Sequence, residues 1–148
     1  MSDTGPVIAA LDLKGQFKLV AEVASTLANC LDAPLQLVTV YDETRLGAIN
    51  EFGMGLNKTL QLEEKELSEE LQLRQIIEQR LGLEGEAREQ VVILESPKVA
   101  QKLVEHAEST GASMIVMGQP RSRFGSVAVA VSRNAPCDVH IVRTEGED

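Results

Sequence analysis

MGQPRSRFGSVA, residues 117–128, is the stretch on which the reading of this sequence turns. An apolar run, Ser113 to Met117, stops at Gly118. A short loop carrying Arg121 and Arg123 follows, and Gly125-Ser126 opens a helix-like segment that runs to Asn134, short of Pro136. Proline disfavours helical backbone in the residue before it, which closes the segment there. The order is therefore strand, loop, helix. Such a loop either cradles an anion or merely joins two elements, and the rest of the chain has to distinguish them.

Nearer the N-terminus, Val7 to Leu11 is apolar without polar alternation, as expected of a strand buried on both faces, and Asp12 ends it. Lys14 to Asn29 sets Phe17, Val20, Ala24, Leu27 and Ala28 on one helical face. LQLVTVY, Leu35 to Tyr41, is a second strand introduced by Pro34. Asp42 to Gly55 holds three glycines and is long for a strand–helix link, so it is expected to fold over a crevice or enter an interface. Leu56 to Leu81 follows as a long amphipathic helix, with Gly82 as its stop. A third strand is expected over Arg88 to Leu94. Ser96-Pro97 reads as the start of a third helix, the serine as cap and the proline in the first turn, with Gly111 as its end. Ser113–Met117 and Asp138–Val142 are the fourth and fifth strands, before the acidic tail RTEGED.

Strands and helices alternating in this way imply an α/β fold: an open five-stranded parallel sheet with helices on both faces. Right-handed crossovers distribute the helices to the two sides. With 148 residues and no internal repeat, a single domain over 1–148 is expected.

Composition narrows the function. Asp and Glu number 23 against 14 Lys and Arg, a formal charge of −9, which argues against nucleic-acid backbone binding. The opening residues lack the basic start and apolar run of a secretory signal, and no stretch there is long enough to span a membrane. A cytoplasmic protein is expected. Cys30 and Cys137 form neither a metal-ligand spacing nor a disulfide framework, and buried thiols are the simplest reading.

In an open parallel sheet, ligands meet the loops at the C-terminal ends of the strands. Asp12, Val40 and Gly118 stand at three such ends, and Ser126 begins the following helix. A phosphate at that helix N-terminus would accept backbone N–H bonds and gain from the helix dipole. Gly118 offers a sharp exit from the strand, Gly125 close backbone approach, Ser126 a hydroxyl or a cap, and Arg121 and Arg123 charged donors. Asp12 suits a ribose hydroxyl or a metal-bound water better than phosphate. The plain alternative is a structural connection, in which Ser126 caps and the arginines are solvated. Neither GxGxxG nor the phosphate loop ending in Gly-Lys-Ser/Thr is present.

VIAALDL (Val7 to Leu13), LQLVTVYD (Leu35 to Asp42) and GASMIVMG followed by GSVAVAVSRNAPCDVHIV together resemble the universal stress protein family over nearly the whole chain. That resemblance implies a small cytoplasmic, stress-associated regulatory protein, usually a homodimer paired through its last strand, here Val139 to Val142. Some members bind ATP and others do not; Mg would accompany the phosphates of a bound ATP without marking a protein metal site. The ATP-binding pattern is Gly, two residues, Gly, nine residues, Gly-Ser/Thr. Gly118 matches its first glycine and Gly125-Ser126 its final pair, while Arg121 stands at the second glycine and the loop is several residues shorter. Asp12 and Val40 match the adenosine side.

Two function classes follow: an ATP-responsive regulatory dimer, or a nucleotide-independent dimeric interaction protein that kept the scaffold and altered the loop. His106 in the third helix and His140 in the last strand do not join Asp12 in a catalytic constellation, and no acid–histidine cluster marks a protein metal site. Efficient catalysis is not expected. Slow turnover of a bound nucleotide needs no such constellation, so the sequence leaves that question open.

Overall fold

A computed structural model describes residues 4–42, 69–119 and 126–144. Five strands, β1 (Val7–Ala10), β2 (Leu35–Tyr41), β3 (Val91–Glu95), β4 (Met114–Gly118) and β5 (Asp138–Val142), form one parallel sheet in the order β3-β2-β1-β4-β5. The helices are α1 (Phe17–Leu31), α2 (69–81), α3 (Val99–Thr110) and α4 (Ser126–Asn134). Because consecutive strands step outward from β1 in one direction and then in the other, the order reverses between β1 and β4. There Ala10 registers against Val38 on one side and Met117 on the other.

Side chains alternate across a strand, so each strand feeds two cores. Val7, Ala9, Leu11, Leu37 and Val116 pack with Phe17, Val20, Ala21, Ala24 and Ala28 of α1 and Ile77 of α2. Ile8, Val38, Ile115 and Met117 point the other way, onto Leu103 and Ala107 of α3 and Ala128 and Val131 of α4. This two-sided burial is why the strands read as continuous apolar runs. Each fully buried Ile, Leu or Val contributes roughly 1.5–3 kcal/mol relative to exposure.

Several expected boundaries shift for local reasons. The first helix begins at Phe17, not Lys14, because Asp12-Leu13-Lys14-Gly15 forms a β-turn: Gly15 N–H donates to Asp12 O at 2.9 Å, and Lys14 N–H to Asp12 Oδ1 at 3.0 Å. Asp at the first and Gly at the last position of a turn favour that conformation. The helix continues past Asn29 to Leu31 and stops on Asp32, whose left-handed backbone lets its N–H reach the carbonyls of Ala28 and Asn29. The third strand starts at Val91, since Gly85–Gln90 forms a 3₁₀ turn over its expected beginning. Ser96 does not cap α3. Its hydroxyl oxygen accepts from Lys98 N at 3.0 Å, one turn before a helix whose N-cap is Lys98. Gly82 and Gly111 stop α2 and α3 as expected, both with positive φ. Cys30 is exposed near the end of α1 and Cys137 is half-buried beside β5, so the expectation of two buried thiols fails.

Residues 43–55 of the insertion and 56–68 of the second helix lie outside the described residues. Among the described residues, no helix is long and apolar enough to cross a membrane.

Candidate functional site

A cleft of about 770 Å³ opens at the C-terminal ends of the strands, over the point where strand order reverses. That is where this class of sheet offers space, since β1 and β4 send their chains to opposite faces and the loops part between them. Ala10, Val38 and Met117 form its floor, and Phe17, Leu73, Val99, Leu103 and Ala128 its walls. The size falls within the range of about 300–1,000 Å³ usual for small-molecule sites.

Three helices begin at this cleft. Gln16 and Phe17 bring the N-terminus of α1, Pro97 and Val99 that of α3, and Val127 and Ala128 that of α4. None of the three carries an acidic residue in its first turn, so no side chain there offsets the positive ends of the helix dipoles. The carboxylates of Asp12, Asp42 and Glu69 on the lining oppose that field, and the ammonium of Lys14 adds to it. The cleft is thus electropositive where helices start and acidic along the β1 and β2 exits.

Of the sequence-derived candidates, Asp12, Val40 and Gly118 meet in this cleft. Asp12 is exposed, with Oδ1 held by the Lys14 amide inside the turn after β1. Val40 is half-buried on the α3 side. Gly118 ends β4, but its backbone does not need glycine. Its φ is not in the left-handed region, and an added Cβ would sit 3.4 Å from Val20 Cγ2 and 3.7 Å from Thr144 Cγ2, ordinary contacts. A side chain longer than that of alanine would grow between Val20 and Thr144, two residues of the cleft wall. Ser126 is the first residue of α4, and its side chain lies outside what is described, as do Arg121, Arg123 and Gly125.

Thr39 also lines the cleft, and sequence reasoning passed over it because a threonine inside VTVY reads as a strand former. It is the buried polar residue of the described core, with its hydroxyl donating to Leu11 O at 2.9 Å.

The histidines lie elsewhere. His106 Nε2 meets Gln36 Oε1 at 2.7 Å at the opposite, N-terminal end of β2, and His140 is exposed in the middle of β5. Among the described residues, no three His, Cys, Asp or Glu side chains come together to hold a metal ion.

The chain matches the profile of the universal stress protein family over residues 4–143. A functionally unknown protein from Pseudomonas aeruginosa superposes with a TM-score of 0.68 at 17% identity, over 96% of this chain and 48% of the other, so the chain spans about half that relative's length. A universal stress protein family member from Burkholderia pseudomallei gives 0.58 at 27% identity, over 96% and 98%. A universal stress protein in complex with cAMP gives 0.58 at 19%, over 97% and 100%. No curated protein matches the chain.

Proposed function

The chain belongs to the universal stress protein family, and on that premise we propose that it is a cytoplasmic, stress-associated regulatory protein that binds an adenine nucleotide, ATP in the first instance, and signals through a homodimer to a protein partner. The observation that carries this reading is the cleft itself: about 770 Å³, apolar walls, and the start of α4 on one side with Asp12 on the other. A purine and ribose need such walls plus one acceptor, and a phosphate needs a helix N-terminus. Asp12 Oδ2, which the Lys14 amide leaves unused, would accept a ribose hydroxyl, and Val40 would pack against the base. Gly118, Gly125 and Ser126 would face the phosphates, with Arg121 and Arg123 adding charge. Mg would arrive with the phosphates. A universal stress protein crystallised with cAMP supports the ligand class.

The second reading, a nucleotide-independent dimer, draws on Arg121 where the ATP-binding pattern has glycine, and on the carboxylates of Asp42 and Glu69 along the cleft. Calorimetric titration separates the two, using protein stripped of carried-over nucleotide. Saturable ATP–Mg binding is expected. Replacing Arg121 and Arg123 together by Ala should weaken ATP by about tenfold or more and adenosine much less, the loss typical of charged hydrogen bonds. No saturable heat at millimolar ATP selects the second reading.

A further inference from the structure

We infer that Thr39 is a positioning residue for this cleft: its hydroxyl fixes the exit of β1 and thereby sets Asp12 against a bound ribose. The inference rests on the nucleotide reading above and assigns a residue that reading does not use.

The ladder of β1 ends at Ala10, yet the chain does not leave the sheet freely. Leu11 N–H still donates to Val38 O at 2.8 Å, and the Leu11 carbonyl accepts the Thr39 hydroxyl at 2.9 Å. Leu11 and Thr39 are 5% and 6% exposed, so this carbonyl sits where water is scarce and a lost donor is costly. The very next residue is Asp12, whose backbone carbonyl and Oδ1 then take the amides of Gly15 and Lys14. Peptide planarity transmits the orientation of the Leu11 carbonyl directly to the Asp12 nitrogen. One side-chain hydroxyl on β2 therefore anchors the turn that carries the candidate ribose acceptor on β1. A branched apolar residue would fill the same space and suit the strand equally well, so shape alone does not account for a buried hydroxyl there.

The test compares adenosine with 2′,3′-dideoxyadenosine on the full chain by calorimetry. In the unaltered protein adenosine should bind about tenfold more tightly, the gain of a hydrogen bond to a charged acceptor. Thr39→Val should erase most of that ratio while leaving dideoxyadenosine within about twofold, and Thr39→Ser should restore it. Thr39→Val should also speed amide exchange at Lys14 and Gly15 in the ligand-free protein, where Thr39→Ser does not. Should the valine variant fail to fold, Thr39→Cys takes its place, retaining volume with a weaker donor. An unchanged ratio, or an equal loss for both nucleosides, overturns the positioning role while the nucleotide reading stands. Absence of adenosine and ATP binding in the unaltered protein overturns both.

Discussion

His106 shows how one side chain can report on the packing of a helix against the sheet. Burial, and then the charge of Lys102 one turn earlier on α3, hold its imidazole below the ordinary histidine value. The unfolded chain therefore takes up the proton at higher pH than the folded one, and protonation favours unfolding. The stability tied to neutral His106 is present above about pH 6.5 and is lost as pH falls from there towards the folded value. Urea midpoints measured across that window should fall more steeply in the unaltered protein than in His106→Gln, which has no imidazole to titrate. Parallel curves would contradict it. The site residues were unevenly legible at this scale. Asp12 and Val40 could be placed because each ends an apolar run, and runs end where ligands meet sheets. Gly118 suggested backbone freedom, but its φ lies outside the left-handed region, so glycine there leaves room and does not serve a strained turn. Thr39 was not legible, because the carbonyl its hydroxyl reaches lies 28 residues away in sequence.

At the scale of elements, β5 is the strand whose environment asks for a partner. It lies at one end of the sheet order, paired to β4, and Ile141 is 42% exposed on it. An apolar edge strand is ordinarily covered or paired. In the proposed dimer two copies of Val139–Val142 would meet across a two-fold axis, so a charge at Ile141 would face its own copy. Light scattering with sizing should give a dimer mass, and Ile141→Glu should shift it towards monomer. A concentration-independent monomer for the unaltered chain would reject the pairing. Among the described residues, strands and helices were read from periodicity with little error in their cores, because unbroken apolar runs and 3.6-residue spacing both follow from burial on two faces. Errors clustered where local hydrogen bonding overrode pattern. The Asp12–Gly15 turn delays α1, and the 3₁₀ turn Gly85–Gln90 delays β3. Both depend on which amide finds which acceptor, which periodicity does not encode.

Across the whole molecule, because all five strands run parallel, the starts of α1, α3 and α4 lie at the same end as the strand exits. Alternation in the sequence implied the parallel sheet, and the reversal at β1 and β4 turns that sheet into a container. The cleft's mixed electrostatics are a product of assembly: helix starts contribute positive ends, and Asp12, Asp42 and Glu69 come from separate segments. Their meeting could not be read from any single stretch. Occupation of this cleft by a nucleotide can be followed residue by residue, by amide shift mapping with NMR during an ATP–Mg titration. Saturable shifts at Asp12–Gly15, Thr39–Tyr41, Gly118–Gln119 and Val127–Ala128, with His106 and Gln36 at the far end unmoved, are the predicted result. Saturable shifts centred away from the strand exits, or no shifts at millimolar ATP, would contradict it.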